Sequence, residues 1–332
     1  MLTDPFLVHL THKYIIFFLY LLKESLHRLR TLLSTQLIFF LIVSGSMNKY
    51  IIDIDPDTEN VDYWRDLWNF RGLFFFLAWR DTLVKYKQTV IGVLWSVLKP
   101  LLTIGTMGFL GWLLKSNVPS GTPRLLLVCA ATLPWQFFSS AFSDASNSLI
   151  ANTNLLTKVY FPRLIIPAST VIVCLIDFLI SFIILIGFMI YYHFVPEYHY
   201  IPTFRILLLP FFLLVAVTTS MGAGIFIAAL NVKYRDFRYI VPFIVQFGLY
   251  ISPVAFSSSA IFSSAGIPQM LKYLYAMNPM VGVIDGFRWC ILDASVPLNM
   301  HLFLISVGNS FLLLIFGFRY FRKTEKHFAD II

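Results

Sequence analysis

Apolar residues run along this chain in long blocks, and polar residues gather in the short stretches between them. A bilayer-crossing helix needs about 20 mostly apolar residues. Six blocks qualify: Val90–Leu114, Leu125–Ile150, Leu164–Phe194, Ile206–Leu230, Tyr239–Phe256 and His301–Tyr320. Ahead of the first block the pattern changes. In "VDYWRDLWNFRGLFFFLAWRD", Asp62, Arg65, Asp66 and Asn69 share one narrow helical face, while Trp64, Leu67, Trp68, Phe74 and Phe75 cover the other. Such a helix lies in the membrane interface with its indoles at headgroup level.

Between the fifth and sixth blocks are two shorter helical patterns, "IPQMLKYLYAM" (Ile267–Met277) and "NPMVGVIDGFRWCIL" (Asn278–Leu292). The second opens with Asn278 as N-cap and Pro279 at the first helical position. Asp285 and Arg288 stand three apart, placed to pair. Neither pattern is long enough to cross, so both read as re-entrant or gate helices on the outer side, where protein or a watery cavity must cover their backbone. The fold class is therefore an all-α integral membrane protein. It has six transmembrane helices, an N-terminal interfacial amphipathic helix and two short outer gate helices before the last span.

Basic residues set the orientation. With the segment before the first span inside, fifteen Lys and Arg fall in the inner stretches 49–87, 158–163, 233–238 and 319–326, against five outside: Lys115, Arg124, Arg205, Lys272 and Arg288. Both ends of the six-span unit then face the cytoplasm. The first 46 residues hold two short apolar runs, "KYIIFFLYLL" and "LLSTQLIFFLIVSG". One extra span there would put the basic segment after Met47 on the wrong side, so Met47 reads as the functional start. The organisation is an extension over 1–46, a cytoplasmic segment with the interfacial helix over 47–89, a six-span domain over 90–321 and a cytoplasmic tail over 322–332.

Composition agrees. The chain is 58% hydrophobic and 13% charged, with a mean hydropathy of +0.77, against about 25% charged in soluble domains. The net charge of +8 would suit nucleic acid, but its basic residues flank apolar blocks instead of forming a phosphate-binding face. Cys129, Cys174 and Cys290 are scattered in apolar contexts and suggest neither a disulfide framework nor a metal. No P-loop motif is present. A D-x-D within Asp53–Asp57 is the pattern of a membrane glycosyltransferase, yet it sits in a polar stretch with no folded catalytic domain around it. Charges inside spans mark ion or proton paths. Asp144, on a face rich in serine, and Asp177, alone in "CLIDFLIS", support a proton-coupled transporter as the alternative in another class. Lys99, before Pro100, is a third charge in the membrane, placed to snorkel or pair.

Four stretches carry a family likeness: "RDTLVKYKQTVIGVLWSVLKPLL" (80–102), "LPWQFFSSAFSDASNSLIANTNLLTKVYFPRLIIP" (133–167), "ALNVKYRDFRYIVPFIVQFGLYISPV" (229–254) and "NPMVGVIDGFRW" (278–289). In this order, and with the tail "FRKTEKHFADII", the chain from about Tyr63 onward resembles the permease subunit of type 2 ABC exporters. The nearest branch handles O-antigen, capsule and teichoic acid. The resemblance implies export of a lipid-linked polysaccharide across the bacterial inner membrane, with a polyol-phosphate polymer such as teichoic acid as the alternative cargo. It also implies a non-catalytic homodimer that recruits two copies of a separate ATPase, which would hold the ATP and magnesium. This chain would carry no cofactor and no metal, and its remaining partners would be membrane lipids.

Site residues follow from the same likeness. A coupling helix over Asn152–Leu164 would offer Leu155, Leu156, Val159, Tyr160 and Phe161 as an apolar anchor, with Lys158 and Arg163 at its rim. Asn278, Pro279, Asp285 and Arg288 would belong to the outer gate. Trp95, Trp112, Trp135, Phe137, Phe138 and Tyr250 are candidate channel aromatics, since flat rings stack on the C–H faces of sugars. Lys233, Arg235 and Arg238, in the turn "LNVKYRDFRYIVP", would anchor the inner mouth and meet an anionic lipid head, with Asp236 paired to Arg235 or Arg238.

Overall fold

The computed structural model describes residues 63–332 apart from 88–91, 114–121, 199, 235, 263, 265, 293–297, 327 and 329–332. The expectations for 1–46, for Asp53–Asp57 and for Arg235 lie outside the described residues. Helices α1 (Tyr63–Asn69) and α2 (Arg71–Lys87) precede the long helices. These are α3 (Gly92–Leu113), α4 (Arg124–Ala151), α6 (Ile165–Phe194), α7 (Leu209–Lys233, entered through the 3-10 turn Phe204–Leu208), α8 (Phe237–Ile251) and α12 (Met300–Glu325). Short helices fill the connections: α5 (Thr153–Leu156), α9 (Ser258–Phe262), α10 (Gln269–Ala276) and α11 (Pro279–Leu292). No strand occurs among the described residues.

Each of the six apolar blocks forms a helix, but five are long and apolar enough to cross a membrane. The fifth block, read as Tyr239–Phe256, stops being helical at Ile251. Its 15 residues rise about 22 Å, short of the roughly 30 Å hydrocarbon core. Ser252 and Pro253 interrupt it, since proline disfavours helical geometry in the residue before it.

Helix α4 occupies the centre. Apolar or small residues surround it from Leu126 to Leu149, so it is buried on nearly every side. It packs against α3, α6, α7 and α11. Part of its polar half is taken up by hydrogen bonds: Ser148 Oγ donates to the Ala145 carbonyl at 2.7 Å, and Asn231 Nδ2 of α7 donates to the Ser146 carbonyl at 2.7 Å. Helices α7 and α12 meet backbone to backbone. A Cβ at Gly222 would sit 2.5 Å from the Leu314 nitrogen, and one at Gly317 would strike the Gly222 carbonyl oxygen. Small residues permit this approach, and Thr219 Oγ1 bonds Ser310 Oγ across it at 2.9 Å.

A second core gathers segments far apart in sequence. Leu77 of α2, Leu149 at the end of α4, Phe161 and Ile165 at the start of α6, Val232 at the end of α7, and Phe321 and Phe328 near the C-terminus pack together. The end of the second apolar block, the start of the third and the ends of the fourth and sixth thus share one side, as alternate crossing requires. This is the basic end, carrying Arg80, Lys158, Arg163, Lys233 and Arg322. Beside it, the inner side of α1 and α2 (Leu67, Phe70, Leu73, Phe74) packs on this core, while Trp64, Trp68, Phe75 and Trp79 stay exposed along one stripe.

Candidate functional site

At the basic end, the segment between α4 and α6 makes a single helical turn, α5, then folds back. Its residues separate sharply. Val159 and Tyr160 face outward, Tyr160 with 63% of its surface exposed, and Lys158 is exposed beside them. Phe161, expected in the outward anchor, is instead 4% exposed and packs into the second core. Leu155 and Leu156 are half-buried against the same core. Arg163, expected at the rim, is tied inward. Its backbone N–H donates to Glu325 Oε1 at 2.9 Å, and its Nη1 donates to the Glu325 carbonyl at 2.6 Å. Arg322 bonds the other Glu325 oxygen at 3.0 Å and lies 3.5 Å over the Tyr63 ring. Arg80 Nη2 of α2 donates to Asn152 Oδ1 at 3.2 Å. The start of α1, the loop before α6 and the end of α12 are therefore joined around Glu325. A sequence offers no signal for a tie spanning 162 positions.

The turn after α7 keeps its basic residues outward. Lys233 and Arg238 are exposed, and the Lys233 ammonium lies 5.1 Å over the Tyr234 ring. Among the described residues Asp236 forms no ion pair with Arg238.

At the opposite end α11 is a buried half-helix. Asn278 caps it as expected: its Oδ1 accepts from the Met280 N–H at 3.1 Å, and its Nδ2 donates to Ser252 Oγ at 3.1 Å. Pro279 is the first helical residue. Asp285 and Arg288, expected to pair, form no ion pair with each other. Arg288 is fully buried and donates to three carbonyls: Phe256 at 2.8 Å, Val254 at 2.9 Å and Leu127 at 3.3 Å. Two of these belong to the irregular stretch after α8, whose carbonyls have no helical donor. A buried break in backbone structure needs such a partner. Asp285 accepts from Ser258 Oγ at 2.5 Å. Burial lifts its carboxyl to about 6, while the Ser258 bond and the charge of Arg288 pull the other way. Gly286 lies against the ring of Phe212 on α7, where a Cβ would overlap it.

The candidate channel aromatics divide. Trp95, Trp112 and Tyr250 are exposed, Tyr250 at 57%. Trp135, Phe137 and Phe138 are buried, Trp135 at 4%. Trp135 packs on Phe138 with ring centroids 5.4 Å apart, and its ring edge fills the space left by Gly248 on α8. These three hold the bundle together in this chain, and a helix-surface pattern alone does not distinguish that role from lining a channel.

Asp177, alone in its sequence context, has partners in space. Lys85 Nζ approaches its Oδ2 at 2.5 Å, and the Tyr86 hydroxyl donates to its Oδ1. Asp144 accepts a thiol contact from Cys174 at 3.4 Å.

The comparisons with known proteins agree with this arrangement. A model of the ABC-2 type transporter family matches residues 72–292. The chain is 28% identical over 260 residues to the O-antigen export system permease protein RfbA of Klebsiella pneumoniae, covering 76% of this chain and 92% of that protein. It is 27% identical over 269 residues to the protein of the same name from Myxococcus xanthus, covering 81% of this chain and 98% of that one.

Proposed function

The chain belongs to the ABC-2 type transporter family, and from that premise we propose that it is the membrane subunit of an ATP-driven exporter of a lipid-linked polysaccharide of the O-antigen type. The observation that carries this reading is the extent of the likeness to the two O-antigen export permeases, which covers 76% and 81% of this chain and nearly all of each relative. The chain works as a homodimer with two copies of a separate ATPase, which holds ATP and magnesium. It resides in the bacterial inner membrane with its basic end in the cytoplasm, and α8 with the stretch after it completes the sixth passage.

Exposed Val159 and Tyr160, held on a turn that is pinned through Arg163 to Glu325, suit a docking knob for the ATPase. An aromatic seated in a partner's pocket is the kind of contact that dominates such interfaces. Lys233 and Arg238 remain outward at the same end, where they meet the anionic lipid head of the cargo. Co-purification tests this reading. Tyr160→Asp is expected to abolish recovery of the ATPase with the permease while the permease itself stays in the membrane. Undiminished recovery contradicts the docking role.

A further inference from the structure

At the gate end the irregular stretch after α8 and α9 itself, residues 252–262, are held on α11 by Asn278 at its cap and by Asp285 and Arg288 within it. A cavity of about 10 Å³ remains beside Asp285. Its walls are mostly apolar, Phe262, Val281 and Phe303 among them, and Asn299 and Ser306 supply its other polar groups. The two carboxyl oxygens of Asp285 fare differently. Oδ2 accepts from Ser258 Oγ of α9 at 2.5 Å, while Oδ1 is buried without a hydrogen-bond partner. The Tyr275 hydroxyl of α10, which feels the charge of Asp285, is buried without one as well. Arg288 spends its donors on three carbonyls and forms no ion pair with Asp285.

A bare carboxylate oxygen in such surroundings is costly. Space for about one water does not hydrate it, whereas a proton removes the charge altogether. Opening the stretch to water is the other way to relieve it. We propose that Asp285 is a proton-binding site that governs this closure: the protonated acid lets residues 252–262 seat on α11, and loss of its proton to water releases them. The Ser258 bond and the charge of Arg288 favour the ionised form, but burial outweighs both and holds the carboxyl at about 6. Of the elements around α11, α10 brings Tyr275 and also Lys272, whose ammonium donates to the Phe262 carbonyl at 2.7 Å. The 3-10 turn brings Arg205 over the Trp289 ring at 4.7 Å, α4 begins with Arg124, and α7 presents Phe212. On the first turn of α12 His301 is exposed, and a histidine titrates in the same range. That residues 252–262 bound an outer gate rests on the export reading above; the proton site does not.

Hydrogen exchange of the full chain in nanodiscs, with protection corrected for the intrinsic effect of pH, tests the site. The amides of 254–262 are expected to exchange well before those of α4. They should lose about tenfold in protection between pH 5 and pH 8, the ratio set by a carboxyl at about 6 when closed and 3.8 when open. Asp285→Asn keeps an acceptor for Ser258 and removes the ionisation, so protection becomes equal at the two pH values. His301→Gln keeps the wild-type response. Ser258→Ala removes a bond that favours the charged form, so it steepens the response, which gives a second reading should Asp285→Asn not fold. The proposal is overturned if wild-type protection at 254–262 does not change with pH, or if these amides exchange only together with those of α4. It is overturned equally if the response survives Asp285→Asn, vanishes with His301→Gln or becomes shallower with Ser258→Ala. Transport plays no part in these measurements, so their failure leaves the export reading standing, and failure of that reading leaves their result intact.

Discussion

The two ends of the bundle both place charged side chains against protein, and they do so for different purposes. At the gate end Arg288 is fully buried and spends its donors on carbonyls left open where α8 breaks. Arg288 itself does not face outward, and its charge repairs the backbone. At the basic end Arg163, Arg322 and Glu325 are partly exposed and tie together three segments remote in sequence, leaving Val159 and Tyr160 free on the outside. A buried cation on carbonyls fixes one geometry. A partly exposed ionic tie holds a projecting turn to the helices beside it. On the function proposed above, the contrast suits rigidity at the gate end and transmission at the basic end.

Substitutions that strip each end of its ties should therefore differ in what they damage. Among the substitutions that strip a tie, the largest loss of stability is expected from Arg288→Met, which strands two buried carbonyls that have no helical donor and costs about 3–5 kcal/mol. It is read as loss of monodisperse protein in detergent, and normal recovery would remove the repair role. Gly286→Val forces a side chain into the Phe212 ring and should cost about 1–3 kcal/mol, seen as a lower melting temperature. A smaller Phe212→Leu partner should restore part of it. Glu325→Ala should cost about 1–2 kcal/mol, with a disproportionate loss of transport-coupled ATP hydrolysis at unchanged ATPase binding. A loss of stability with coupling intact would reduce this tie to a structural one.

Asp285 supplies a pH test of the gate end. Its carboxyl is raised in the fold from 3.8 to about 6, chiefly by burial. A raised carboxyl favours the protonated form, so its contribution is fully present below about pH 4 and is lost as pH rises through about 6. Asp285→Asn should flatten the melting temperature across that window, and an identical slope in the variant would contradict the assignment. The smallest effect on stability, within about 0.5 kcal/mol, belongs to Val159→Asp and Tyr160→Asp, although both should lose the ATPase. Phe161→Asp should instead fail to fold, because that ring lies in the second core.

What was legible in the sequence was local. Continuous apolar length marks the long helices, and the Asn278 cap was readable because the capping atoms are two residues apart. The fifth block was overextended because its apolar character continues past Ser252 and Pro253, although that pair was a readable signal for a break. The fate of Trp135 was not legible, since it depends on Gly248 of a helix more than a hundred positions away. Nor was the pairing of Asp177 with Lys85, 92 positions apart. The division of the turn before α6 into an outward Tyr160 and an inward Phe161 likewise comes from the second core, which no single segment contains.

On the proposed function, this chain moves a polysaccharide across the membrane at the expense of ATP bound by a partner subunit. The most direct test is surface labelling of the glycan in cells depleted of the chain, with and without collapse of the proton gradient. The account predicts that depletion abolishes surface glycan while the lipid-linked polymer accumulates inside, and that in replete cells export survives loss of the gradient as long as ATP is maintained. Unchanged surface glycan on depletion, or export that stops with the gradient while ATP is held constant, would contradict it.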